Sequence, residues 1–181
     1  MNIWHDIRTE RVRRDDFVAV IEIPKGGKVK YELDKETGRL MLDRVIYSSS
    51  HYPANYGFIP KTYADDQDPL DVLVLCTEPI EPLTLVRCYP IGVIIMEDQG
   101  KRDEKIIAVP YDDPTYNTFR DISELRPHIM VEISNFFTFY KVLEGKTTYL
   151  ESTGGRDKAM EVIDQCLENY LRKFPDGIVT K

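Results

Sequence analysis

The hydrophobic period changes partway along this 181-residue chain, and that change limits the architectures open to it. As far as Val109 the apolar residues alternate or run in short blocks. Residues 17–23 (FVAVIEI), 29–33 (VKYEL), 39–46, 72–75, 84–96 and 105–109 read as strands, punctuated by turns such as Gly26-Gly27 and Lys35-Glu36-Thr37-Gly38. From Pro127 onward Ile129, Ile133, Phe136, Phe137 and Tyr140 recur at helical spacing, with Pro127 suited to a first turn and Gly145 to a stop. A second helix is expected over residues 157–174, where Met160, Ile163, Leu167, Tyr170, Leu171 and Phe174 form one apolar stripe. Strands followed by helices predict an α+β fold that is mainly β, a small antiparallel barrel flanked by two helices.

The acidic run Asp65-Asp66-Gln67-Asp68-Pro69-Leu70-Asp71 packs carboxylates more densely than a stable surface favours. A solvated turn is the plain reading of such a run. Its flank argues otherwise, because Val72-Leu73-Val74-Leu75 reads as a buried strand that carries Asp71 into the fold. In an extended segment Asp66 and Asp68 point to one side, and Pro69 turns the chain so that Asp71 can join them. Oxygen ligands without histidine or cysteine select a hard divalent cation such as Mg²⁺ or Mn²⁺. A calcium-binding EF-hand loop is disfavoured, since counting from Asp66 the sixth and twelfth positions, where it needs Gly and Glu, hold Asp71 and Thr77.

A length of 181 residues without an internal repeat or low-complexity linker predicts a single domain spanning 1–181. The longest apolar runs, residues 72–76 and 91–96, are far too short to cross a membrane, and the N-terminal residues lack a signal pattern. A cytoplasmic protein without a membrane partner is expected. Cys76, Cys88 and Cys166 match no zinc or redox spacing and read as reduced thiols. A formal net charge of −7 argues against nucleic acid as a partner, because a groove for it needs a basic face. The basic run 8–14 is interrupted by Glu10, followed by Asp15 and Asp16, and reads as a solvated surface.

A second acidic hairpin, residues 98–103 (DQGKRD), lies between two strands. With Glu22, Glu32, Asp66, Asp68 and Asp71 it would give a carboxylate lining for more than one metal, as two-metal phosphoryl-transfer sites require. Lys30, Arg44, Lys105 and Lys141 are the single cations available to grip phosphate oxygens.

Together these residues closely resemble the family I soluble inorganic pyrophosphatases. The matching segments are VIEIP (20–24), KYELDKETG (30–38), LDR (42–44), YPANYGFIP (52–60), DDQDPLDVLVL (65–75), RCYPIGVIIMED (87–98), KIIAVP (105–110) and FFTFYK (136–141). The resemblance implies an OB-like five-stranded antiparallel barrel and Mg²⁺-dependent hydrolysis of inorganic pyrophosphate to two phosphates, with Mn²⁺ as the alternative metal. It implies metal binding by Asp66, Asp71, Asp98 and Asp103, with Glu32 acting through water, and makes Asp68 the general base toward the attacking water. Lys30, Arg44, Lys105 and Lys141 would hold the substrate, with Tyr56 and Tyr140 donating phenolic hydrogen bonds. Glu22 and Tyr52 would stand behind these groups. Members of this family assemble, so a homo-oligomer is expected, a hexamer before a dimer. The chain departs from the family pattern at Gln99, where relatives often carry an acid, and at residues 151–155 (ESTGG), where a Gly-Trp pair is familiar.

Two other classes fit these residues less well. A non-catalytic barrel that binds polyanions would carry basic and aromatic residues on one face, but here the tyrosines are interleaved with carboxylates. A hydrolase that keeps the metals but acts on a nucleotide or other organic phosphate ester is opposed by the lack of an aromatic slot or glycine-rich loop for a base.

Overall fold

The computed structural model of the chain describes residues 2–175. In chain order its strands are β1 (Val12–Arg13), β2 (Asp16–Ile23), β3 (Val29–Asp34), β4 (Arg39–Val45), β5 (Asn55–Ile59), β6 (Leu70–Val74), β7 (Leu85–Asp98), β8 (Lys101–Pro110) and β9 (Thr148–Gly155). Its helices are α1 (Pro127–Phe139) and α2 (Arg156–Lys173). Strands β2, β5, β6, β8 and β7 close into a ring, because β7 pairs with β2 as well as with β8. The expected barrel flanked by two helices is therefore present. Four of its seams are antiparallel and one, β6–β8, is parallel. The chain leaves β6, crosses to β7 and returns through a tight hairpin, so β8 enters beside β6 running the same way.

Period-two alternation divides the ring's residues between two cores. Val72, Val74, Ile106 and Ala108 join α2 residues such as Val162 and Ile163, while Leu73, Leu75, Ile107 and Val109 join Phe136 and Phe137 of α1. A strand covered on both faces has no use for polar alternation, which is why residues 72–75 form an unbroken apolar run. Each such side chain contributes about 1.5–3 kcal/mol on leaving water. The β2–β5 seam leaves no room for a side chain at Gly57, where a Cβ would stand 1.8 Å from the Val20 carbonyl oxygen.

Besides the two-residue β1, which pairs with β2, three elements differ from expectation. Strand β5 is short and closely followed by Pro60, and β9 carries no apolar alternation, so neither has a periodic signal of its own. β9 exists because β7 offers it an edge, with pairs from Gly92↔Gly155 to Asp98↔Thr148. The expected stripe on α2 is rotated: Ala159, Val162, Ile163, Cys166 and Tyr170 are buried, whereas Leu171 is 63% exposed. Small residues at 159 and 166 let the helix approach the sheet closely, and that contact outweighs the larger side chains beside it. β3 and β4 form a separate hairpin outside the ring.

Candidate active site

The same alternation carries the α1-side core face into a charged cleft. Asp71 shares its face of β6 with Leu73, Asp103 and Lys105 share theirs of β8 with Ile107, and Asp98 shares its face of β7 with Met96 and Ile94. These carboxylates therefore stand where the apolar core ends. The cleft, of about 320 Å³, is completed by the β3–β4 hairpin, the Asp66–Asp68 loop and the end of α1. Seven carboxylates line it, those of Glu22, Glu32, Asp66, Asp68, Asp71, Asp98 and Asp103, against four lysines, Lys30, Lys35, Lys105 and Lys141.

Lys105 stands at the centre of the site. Only 3% exposed, it donates to Asp71 at 2.7 Å, to Asp103 at 3.0 Å and to the Tyr56 hydroxyl at 3.2 Å. Burial works against its charge, but Asp103 and Asp71 outweigh burial and hold its pKa well above the usual lysine value. Tyr56 donates in turn to Asp71, and its own ionisation is pushed far up by burial and then by Asp71. Lys141 donates to Asp98 at 2.5 Å; burial opposes ionisation there, yet that bond and the lysine's charge keep Asp98 below the usual carboxylate range. Tyr140, just past α1, lines the same wall, and burial raises its phenol.

The acidic loop is held by its own backbone. Gln67 has φ +73°, and Asp66 accepts from the Asp68 amide at 3.0 Å. Asp66 is pushed up to about 6, first by burial and then by Asp71. Glu22, buried on β2, accepts from the Leu33 amide at 2.9 Å, and burial followed by Asp71 pushes it to about 8. Among the described residues no three carboxylates form a ready coordination cage. Burial first, and the neighbouring Asp71 second, raise both of these carboxyls. An all-oxygen, net negative lining of this kind fits a hard divalent cation, whose charge would return both acids to their ionised forms.

Twelve of the fourteen site residues expected from sequence line the cleft. The exceptions are Arg44 and Tyr52. Tyr52 is buried in the aromatic core, its ring 5.2 Å from that of Tyr56 and 6.5 Å from that of Tyr140, so it stands behind the lining. Arg44 pairs with Lys30 across the β3–β4 hairpin and is drawn aside by Asp43 and by Glu144 at 2.8 Å, which leaves its Nη2 buried without a partner among the described residues. Gln99 stays on the exposed hairpin outside the lining. Sequence reasoning missed Lys35, which pairs with Asp68 across the cleft and donates to the Gln67 carbonyl at 3.3 Å. Its position inside a turn disguised it, although Asp34 and Thr37 lock that turn by a side-chain hydrogen bond.

Comparison with known proteins gives the same picture over nearly the whole chain. The family model described as inorganic pyrophosphatase matches residues 19–171. Soluble inorganic pyrophosphatase 2 of Chlamydomonas reinhardtii is 50% identical over 171 residues, covering 94% of this chain and 89% of that protein. The inorganic pyrophosphatase of Helicobacter pylori superposes with a TM-score of 0.85 at 41% identity, over 88% of this chain and 95% of its own. That of Thermus thermophilus gives 0.86 at 35% identity, over 94% and 99%. With its barrel, its acidic cleft and a match of this extent, the chain belongs to the inorganic pyrophosphatase family.

Proposed function

We propose that this protein hydrolyses inorganic pyrophosphate to two orthophosphates in the cleft between the barrel and the β3–β4 hairpin, as a single domain spanning the chain. The observation that carries the reading is the meeting of Asp66, Asp68, Asp71, Asp98 and Asp103 with Lys30, Lys105 and Lys141 in one cleft of about 320 Å³. Asp66, Asp71, Asp98 and Asp103, with Glu32 at the rim, would hold Mg²⁺ ions, Mn²⁺ being the alternative. Bound there, such ions lower the pKa of water and neutralise phosphate oxygens.

The chain's own residues do the rest. Asp68 accepts the proton of the attacking water as its oxygen bonds to phosphorus, and the bridging P–O bond breaks with its electron pair going to the leaving phosphate. Lys30, Lys105 and Lys141 offset the charge that would repel the nucleophile. Tyr56 and Tyr140 donate hydrogen bonds, and Arg44, whose Nη2 is buried and unpaired among the described residues, would reach a phosphate oxygen by turning from Glu144 toward the cleft. Glu22, at the buried end of the lining, and Tyr52, behind it, support these groups.

No helix of the described residues is long and apolar enough to cross a membrane. A cytoplasmic homo-oligomer, hexameric before dimeric, is the working assembly. The test is orthophosphate release from pyrophosphate with Mg²⁺, with and without EDTA, beside ATP and p-nitrophenyl phosphate. Rapid, chelator-sensitive release from pyrophosphate alone supports the reading, and none at any Mg²⁺ or Mn²⁺ concentration rejects it.

A further inference from the structure

Two loops far apart in sequence form facing walls of the cleft: the β3–β4 turn, which carries Lys35, and residues 60–69, which carry Asp66 and Asp68. Lys35 spans the gap to Asp68. On the side away from the cleft both loops are held by one short segment, residues 2–7.

Asn2 is only 4% exposed, and its side-chain amide donates to the Lys35 carbonyl at 2.8 Å. Its side-chain oxygen accepts from the Trp4 amide at 3.0 Å, and its backbone oxygen accepts from the His5 and Asp6 amides, so the grip comes from a closed turn. The turn rests directly on Gly38, where φ is +68° and a Cβ would lie 2.7 Å from Asn2 Cα. At the other loop the Trp4 indole N–H donates to the Thr62 carbonyl at 2.9 Å, the Lys61 amide donates to the Trp4 carbonyl at 3.0 Å, and Lys61 Nζ donates to the His5 carbonyl at 2.7 Å. Thr62 is itself the clasp of that loop: its hydroxyl donates to Ile59 at 2.6 Å and accepts from the Leu70 amide at 2.8 Å.

Core packing accounts for Ile3 and Ile7, and for the Trp4 ring among His5, Tyr63 and Phe174. It does not account for the Asn2 amide or the indole N–H, which add almost no apolar contact and each engage one wall of the cleft. We infer that Asn2 and Trp4 are positioning residues, a brace behind the cleft that sets the span between Lys35 and Asp68. The inference rests on the reading of Asp68 as the base. Small displacements of a reacting group are costly, so the effect falls on turnover.

The test uses Asn2→Ser, whose hydroxyl still caps the Trp4 amide but is too short for Lys35, and Trp4→Phe, which keeps a ring and loses the N–H. Each is made alone and with Lys35→Ala, and kcat and KM for pyrophosphate at saturating Mg²⁺ are measured beside melting curves. The expected result is a loss of about threefold to tenfold in kcat for each single variant, with KM within about twofold. Once Lys35 is absent, Asn2→Ser should change kcat by less than about twofold, whereas Trp4→Phe, which acts on the loop of Asp66 and Asp68, should keep its loss. Equal losses for Asn2→Ser in both backgrounds, or no loss for either variant in either background, would overturn the brace. If Lys35→Ala itself leaves kcat intact, the assignment of that wall fails and takes the brace with it. A loss with Lys35→Ala but none with Asn2→Ser and Trp4→Phe rejects the brace alone.

Discussion

Asp71 and Lys105 are register partners across the parallel β6–β8 seam, with the ammonium 2.7 Å from the carboxylate. Parallel neighbours in register project to the same side of the sheet, so the pair is built by the backbone before any ligand arrives. Replacing one member of a buried pair leaves the other unpaired. Lys105→Met should lower the stability of the protein in EDTA by about 3 kcal/mol, the low end for a broken buried pair because Asp71 is partly exposed. Mg²⁺ should recover part of that loss by taking over the charge on Asp71 and Asp103. Thermal melts with EDTA and with Mg²⁺ check this, and an equal loss in both would remove the shared electrostatic role.

Asp68→Asn keeps the shape of the loop and removes the proton acceptor. A fall in kcat of at least about a hundredfold is expected, with Mg²⁺ affinity by calorimetry nearly unchanged because Asp66 and Asp71 remain. Full turnover in this variant would take Asp68 out of the base role.

Arg44 presents a fork with one prong unpaired, and lysine cannot reproduce both that prong and the hold of Glu144. Arg44→Lys should raise KM for pyrophosphate by about tenfold, the worth of one charge-assisted hydrogen bond, with kcat less affected. Steady-state kinetics decide it, and an unchanged KM would place Arg44 in the scaffold only.

His5 is buried against Tyr170, whose hydroxyl lies 2.7 Å from Nδ1, and its pKa is lowered chiefly by burial and then by Lys61. The unfolded chain therefore takes up this proton at a higher pH than the folded one. Stability from neutral His5 is complete above the unfolded value of 6.5 and is lost as pH falls through the lower folded value. The slope from this one group is at most about 1.4 kcal/mol per pH unit. Chemical denaturation between pH 7.5 and 5 should show it, and His5→Gln should flatten the curve in that window.

Gln67 holds φ +73°, where a β-branched side chain is strained and glycine is not. Gln67→Val should cost more than about 1 kcal/mol, and Gln67→Gly no more than a few tenths. Denaturant titration of the two variants separates this backbone effect from any contact of the glutamine side chain.

Local order determined much of this protein. Period two through residues 17–109 and period 3.6 after Pro127 are properties of consecutive residues, so the strands, the helices and the barrel-with-helices class could be read directly. The dense acids of 65–71 beside an apolar run likewise declare a charged site entering a core, because their repulsion and their burial are both short-range facts. What the sequence could not declare depends on partners distant along the chain. The parallel β6–β8 seam that puts Lys105 against Asp71 is a matter of strand order. β9 has no pattern of its own and exists only as an edge for β7. Lys35, set in an ordinary turn, becomes part of the cleft because the Asp68 loop folds opposite it, and Arg44 is turned aside by Glu144, a hundred residues on. Patterning records which face of an element is apolar; which charges meet across a cleft is decided by closure of the ring, which brings together residues that share no local signal.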